Sequence, residues 1–257
     1  MFPTVTIFGR TFGTYTLLAI AGGLLAGALA CLLARRRGLD SNAMILLLFA
    51  AAAGALVGGH LLYALTNLRL VPQLWRAADW DERWRVLLSL LGGTVFYGGL
   101  LGGLGGAWLY GRNRLDMRAY ADCAAPAIPL FHAFGRVGCF LGGCCYGVEW
   151  DGGIVYTHAL VESANGVPRF PVQLLEAGVN LLLFGLLLWC CWRGRARGRL
   201  LPAYLGAYAL CRFFLEFLRG DAYRGFFGPL STSQWISLLL LAAVAVRAAA
   251  GWRQKCA

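Results

Sequence analysis

Residues 43–64, AMILLLFAAAAGALVGGHLLYA, form an apolar stretch without a single charged side chain. A bilayer core about 30 Å thick takes roughly 20 helical residues to cross, so the stretch is long enough to span it. Hydrocarbon offers no partners to backbone N–H and C=O groups, which leaves only helices or the strands of a closed barrel. A barrel strand needs only about 10 residues, so the length selects helix. Comparable stretches lie at 13–34, 88–111, 119–141, 171–192, 200–218 and 233–250. The expected fold is therefore all-α, a polytopic membrane bundle of about seven transmembrane helices forming a single domain over residues 1–257. Asp122, Pro126, Pro129, His132 and Arg136 interrupt the fourth stretch and predict a bent or partly re-entrant segment lining a cavity.

Composition agrees. Hydrophobic residues make up 59% of the 257 positions and charged residues only 14%, against about a quarter in soluble domains. Mean hydropathy is +0.64. The net charge of +11 does not indicate nucleic acid, because the positive residues sit in short runs at alternate span ends. Arg35 to Arg37, Arg112, Arg114, Arg118, Arg193, Arg195, Arg197, Arg199, Arg253 and Lys255 mark the cytoplasmic side. The N-terminus is then outside and the C-terminus inside. The first span is not a cleaved signal peptide, since its arginines follow the apolar stretch. Two outer segments, about 65–87 and 147–170, read as interfacial. Trp75, Trp80 and Trp84 in the first predict either a short amphipathic helix on the bilayer or a loop with headgroup anchors. The glycines of the third span, Gly92 to Gly106, read mainly as helix packing.

Charges inside spans are costly and mark candidate sites. Arg136 lies near the outer end of the fourth span, and Arg212, Glu216 and Arg219 share one face of the sixth by their spacing. One reading is an internal ion pair that holds helices together. The favoured reading counts one carboxylate against three guanidiniums and assigns the surplus to a lipid phosphate, which an arginine fork binds bidentately. His132, one turn before Arg136, is either a neutral core histidine or a base. Of the nine cysteines, Cys139, Cys144 and Cys145 cluster in sequence; small-residue packing is favoured over a disulfide, and with no histidine or acidic ligand nearby no metal and no cofactor is assigned.

The run FGRVGCFLGGCCYG, residues 134–147, surrounds Arg136 with glycines that permit an anion-binding turn. It resembles the glycine-arginine signature of prolipoprotein diacylglyceryl transferases, membrane enzymes that move diacylglycerol from phosphatidylglycerol to a lipoprotein cysteine. The likeness extends along nearly the whole chain. Phe12-Gly13 opens the first span, Tyr97-Gly98-Gly99 stands where the family has His-Gly-Gly, and Pro168 to Glu176 is similar to its Arg-His-Pro-Ser-Gln-Leu-Tyr-Glu segment. Arg212 to Asp221 follows its Arg-x-x-x-Glu-x-x-Arg-x-Asp, and Ser233-Gln234-Trp235 opens the last span.

The resemblance implies Arg136, Arg212 and Tyr97 as catalytic residues. It implies substrate binding by Phe12, Gly135, Gly138, Cys139, Gly147, Gln173, Glu176, Glu216 and Arg219. Its partners would be phosphatidylglycerol, the lipobox cysteine of prolipoprotein signal peptides and membrane lipid, with the site facing the outer leaflet and no nucleic acid involved. The chain departs from the pattern at Tyr97, which replaces a histidine, at Cys139, Gly142 and Cys144, which replace two asparagines and a glutamate, at Phe170 and at His60. Other readings are a related transferase with another acceptor or headgroup, or a non-catalytic lipid-binding or transport protein.

Overall fold

Helices form wherever the sequence is apolar for long enough, and short hairpins take up the polar joins. The computed structural model describes the backbone of residues 1–93, 95–195, 197–221 and 225–256, and the side chains of these except Phe96, Tyr97 and 250–256. The helices are α1 (Thr14–Arg36), α2 (Ser41–Thr66), α3 (Val71–Arg76), α4 (Trp80–Leu91), α5 (Phe96–Gly111), α6 (Met117–Ala124), α7 (Ala127–Gly142), α8 (Val172–Trp192), α9 (Leu200–Leu215) and α10 (Thr232–Cys256). The antiparallel hairpins are β1 (Thr4–Ile7) with β2 (Arg10–Gly13), β3 (Glu149–Val155) with β4 (Pro168–Arg169), and β5 (Phe226–Phe227) with β6 (Leu230–Ser231). The all-α polytopic membrane fold is as expected. Among the described residues, 6 segments are long and apolar enough to cross a membrane: Thr14–Arg36, Ser41–Thr66, Met117–Gly142, Val172–Trp192, Leu200–Leu218 and Thr232–Ala249.

The third expected span differs. It is divided at Gly92-Gly93 into the end of α4 and the 16-residue α5. A Cβ on Gly93 would lie 2.3 Å from the Tyr63 ring, so the chain breaks where the backbone passes directly against that side chain. His60 Nδ1 lies 2.7 Å from the Leu91 carbonyl oxygen, within hydrogen-bonding distance of a carbonyl that the helix end leaves without an intrahelical partner.

The chain forms two compact units, one of Ala34–Tyr120 and one of Met1–Leu33 with Ala121–Ala257. In the first, α2 packs along α5 through a seam of glycines. A Cβ on Gly54 would lie 2.2 Å from the Gly102 carbonyl oxygen, and one on Gly58 2.3 Å from that of Gly98. Close backbone approach of this kind is what glycines four apart permit in membrane helices, so the packing reading of the third-span glycines holds. The segment 65–87 is helical: Asp79 caps α4 by accepting from the Glu82 N–H at 2.7 Å, while Glu82 accepts from the Ala78 N–H at 2.8 Å. The resulting α3–α4 pair encloses a groove of about 370 Å³ lined by Leu74, Trp75, Trp80, Arg83, Trp84 and Leu87.

In the second unit α7 packs on α8, and α9 on α8 and α10. The fourth span is bent as expected, between α6 and α7 at Ala125-Pro126, where proline lacks the N–H a continuous helix needs. Asp122 on α6 is buried because it caps α9: its carboxylate accepts from the N–H groups of Gly198 and Leu200, the latter at 2.9 Å. α10 begins with a reciprocal pair, Ser231 N–H to Gln234 Oε1 at 3.0 Å and Gln234 N–H to Ser231 Oγ at 3.2 Å. Segment 147–170 folds as β3 and β4 around a small core of Tyr146, Tyr156, Ala159 and Ala164. Arg169 stacks over Tyr146 at 4.4 Å and donates to the Ser163 carbonyl at 2.9 Å, a structural role.

Candidate functional site

The second unit gathers most of the charged residues singled out by the sequence. Arg136, on α7, meets Glu176, on α8, with Nε 3.0 Å from Oε1. The same Glu176 oxygen accepts the Tyr208 hydroxyl of α9 at 3.0 Å, so three helices converge on one carboxylate. Asn180, one turn beyond Glu176, donates to the Glu176 carbonyl at 2.8 Å. His132 sits one turn from Arg136 as its spacing implies, and its Nδ1 lies 2.9 Å from the Tyr204 hydroxyl; its ring is 5.1 Å from that of Tyr208. Glu176 is 3% exposed at its side chain, whereas Arg136 is 21% exposed. Among the described residues Arg136 pairs with protein through Nε, and no hydrogen bond to protein is seen at its two terminal nitrogens.

Arg212 and Glu216 pair as their i, i+4 spacing predicts, with Nη1 2.5 Å from Oε2, and Arg212 Nη2 donates to Ser233 Oγ at 3.2 Å. Arg219 does not share their helical face. α9 ends at Leu215, a single 3₁₀ turn covers Glu216–Leu218, and Arg219 is extended and bridged antiparallel to Gly147. It donates to the two Asp221 carboxylate oxygens through Nε and Nη2, at 2.9 and 2.7 Å. Burial opposes the charge on Arg219, but its hydrogen bonds to Asp221 outweigh this and raise its pKa above the ordinary arginine value.

The expectation of one carboxylate against three guanidiniums is therefore corrected. Glu176 arrives from α8 and Asp221 from beyond α9, so each of the three arginines has its own acidic partner. Counting within one helix could not reveal Glu176, which tertiary structure brings in from α8, and it left out Asp221, which lies just beyond the helix end, two residues from Arg219.

The signature run ends α7 in a left-handed turn. Gly143 has φ +71°, and its N–H bonds back to the Cys139 and Phe140 carbonyls. Cys145 follows with φ +55°, which non-glycine residues seldom adopt. The turn folds Cys144 and Cys145 back onto Cys139, and the three Sγ atoms lie within 4.8 Å of one another. Hydrogen bonds from Cys139 and Cys144 push the Cys145 thiol below its usual range despite burial, with Arg219 and Arg136 assisting; the reciprocal bonds push Cys144 up.

Gln173 fixes this turn by donating to the Cys144 carbonyl at 2.8 Å while accepting from Tyr156 at 3.0 Å. Gly147 is required by space, since a Cβ there would stand 2.2 Å from the Phe170 carbonyl oxygen. A Cβ on Gly138 would meet Tyr15 of α1 at 3.1 Å, whereas Gly135 has no neighbour within 4 Å of such an atom.

The structure thus brings Arg136 and Glu176 together, Arg212 and Glu216 together, and Gly147 and Arg219 together. Phe12 lies apart in β2 with 40% exposure, and the side chain of Tyr97 falls outside the described residues. Tyr204, Tyr208 and Asn180 were not anticipated, and Asp221 was noted only as the last residue of the motif that begins at Arg212. Positions 204, 208, 212 and 216 are each four apart, a periodicity that puts both tyrosines on the face of Arg212 and Glu216.

The profile described as prolipoprotein diacylglyceryl transferase matches residues 3–249. The chain is 32% identical over 238 residues to a phosphatidylglycerol–prolipoprotein diacylglyceryl transferase 2 of Clostridium perfringens, covering 91% of this chain and 89% of that protein. It is 31% identical over 238 residues to the corresponding transferase of Clostridium tetani, covering 91% of each. With that of Legionella pneumophila strain Corby it shares 34% identity over 211 residues, 76% of this chain and 74% of the other.

Proposed function

This chain belongs to the prolipoprotein diacylglyceryl transferase family, and from that premise we propose that it transfers diacylglycerol from phosphatidylglycerol to the lipobox cysteine of prolipoproteins at the outer leaflet of a bacterial inner membrane. The observation that supports this most strongly is the half-engaged guanidinium of Arg136, anchored through Nε by Glu176 with both terminal nitrogens open to a phosphate. A planar fork of that kind matches a phosphodiester bidentately. Anchoring one edge fixes the direction of the other, so the fork needs no reorganisation when charge develops.

In the reaction the cysteine thiol gives up its proton to water, and the resulting thiolate sulfur attacks the glycerol carbon that bears the phosphate ester. A carbon–sulfur bond forms, the carbon–oxygen bond breaks, and glycerol phosphate leaves with the bonding pair as a dianion. Arg136 holds the phosphate, and Arg212, set by Glu216 and Ser233, stabilises the departing group. Arg219 and Gly147 clamp the signature turn at the mouth of the site. Gly135 and Gly138 leave room for the headgroup and for Tyr15, Cys139 lines the turn, Gln173 holds it, and Phe12 meets lipid from the exposed hairpin. Tyr97 is assigned as a headgroup or thiol hydrogen-bonding partner, because a phenol with an ordinary pKa of about 10 is a weak base near neutrality.

The test uses purified protein, labelled phosphatidylglycerol and a lipobox peptide. Wild type is expected to yield a thioether-linked lipid, and Arg136→Ala to lose at least about a hundredfold, the scale of removing a transition-state donor. Wild type inert toward every phospholipid would overturn the reading.

A further inference from the structure

Cys139, Cys144 and Cys145 have no assigned part in the transfer beyond lining the turn, yet the fold spends backbone strain to assemble them. Cys145 is held at φ +55°, in the left-handed region that costs a non-glycine residue of order 1 kcal/mol or more. The Gly143 turn and the bond from Gln173 to the Cys144 carbonyl fix the same loop. The outcome is three sulfurs from two sides of one turn, all mutually within 4.8 Å and all reduced.

A disulfide does not account for three: any pairing leaves one thiol over. A single ion uses all of them. Metal–thiolate bonds of about 2.3 Å in tetrahedral geometry place sulfurs about 3.8 Å apart, which these side chains reach by small rotations about χ1. Among the described residues no histidine or carboxylate completes the group, so three of four tetrahedral positions come from protein. Three protein ligands and one open position is the pattern of a reactive zinc centre, whereas structural centres are closed by four. Three thiolates around a divalent cation carry a net charge of only −1, against −3 for the three thiolates without it.

We propose that Cys139, Cys144 and Cys145 bind one thiophilic d¹⁰ cation of the zinc(II) class, and that its fourth position takes the acceptor thiol. The second half rests on the transferase reading; the first does not. A thiol that binds there does so as thiolate, its proton passing to water. Its sulfur then attacks the diacylglyceryl carbon, the carbon–oxygen bond to phosphate breaks, and glycerol phosphate leaves with the electron pair. The cation ends the step in the oxidation state in which it began.

The experiment measures metal on the full-length protein purified without chelator and reloaded with zinc. Wild type is expected to hold about one equivalent, the Cys139→Ser/Cys144→Ser/Cys145→Ser variant less than about a tenth of that, and Cys190→Ser as much as wild type. Loading wild type with cadmium reads the site without any variant: sulfur-to-cadmium charge transfer should appear and strengthen when a lipobox peptide is added, but not when the peptide carries serine in place of cysteine. Zinc-free wild type in which two of the three thiols are joined as a disulfide, or in which cadmium gives no such band, overturns the site. Wild type that transfers lipid equally well with and without chelator overturns the thiol-binding half and leaves the transferase reading standing. Metal and thiol binding without transfer from any phospholipid overturns the transferase reading and leaves the site.

Discussion

The Tyr208 hydroxyl and Arg136 Nε compete for one Glu176 oxygen, each at 3.0 Å. Removing the hydroxyl by Tyr208→Phe deletes one hydrogen bond to a charged group, worth about 1.5 kcal/mol, and leaves no charge unpaired. Transfer should fall about tenfold with little change in thermal unfolding. Glu176→Gln keeps the shape but removes the counter-charge of a largely buried guanidinium, so both kcat/KM and the unfolding temperature should drop. A second prediction concerns pH. Because its neighbours lower the pKa of Cys145 and raise that of Cys144, thiolate forms first at Cys145. In metal-free protein, iodoacetamide at about pH 6 should label Cys145 well before Cys144, although free cysteine ionises near 8.5; peptide mapping decides it. The residue types at the site were legible in the sequence. Their pairings were legible only in part: Asp221 stands two residues from Arg219, but Glu176 reaches Arg136 only through the packing of α8 on α7.

At the scale of elements, the spans were legible because hydrocarbon admits so few backbone arrangements. The exception is the break between α4 and α5. Hydropathy runs unbroken through Gly92-Gly93, and what interrupts the helix is the Tyr63 ring and the reach of His60, neither of which hydropathy registers. The glycine seam of α2 and α5 gives a contrast to measure. A Cβ on Gly102 would stand 2.1 Å from the Gly54 carbonyl oxygen, whereas one on Gly105 has no neighbour within 4 Å. Gly102→Ala should cost about 1–3 kcal/mol by overpacking, and Gly105→Ala nothing, in unfolding from detergent.

For the whole molecule, the arginine-rich span ends set orientation more firmly than any single helix. A reporter that works only in the cytoplasm should be active when fused after the last helix and silent when fused before β1. The count of six long helices alone would put both termini on one side. The charge pattern calls for one more crossing, and α5, about 24 Å long at 1.5 Å per residue, is the segment whose crossing the reporter would test.

The equal matching of Arg136, Arg212 and Arg219 by Glu176, Glu216 and Asp221 has a bearing on turnover. A cleft whose fixed charges already cancel holds a monoanionic diester by directed N–H groups, without an excess of positive field. Arg136 and Arg212 steady the dianion as the carbon–oxygen bond breaks, but each already shares its charge with a carboxylate, so the free product is held weakly and is better hydrated outside. Added glycerol phosphate should therefore be a feeble competitor, and the enzyme should keep cycling as its by-product accumulates.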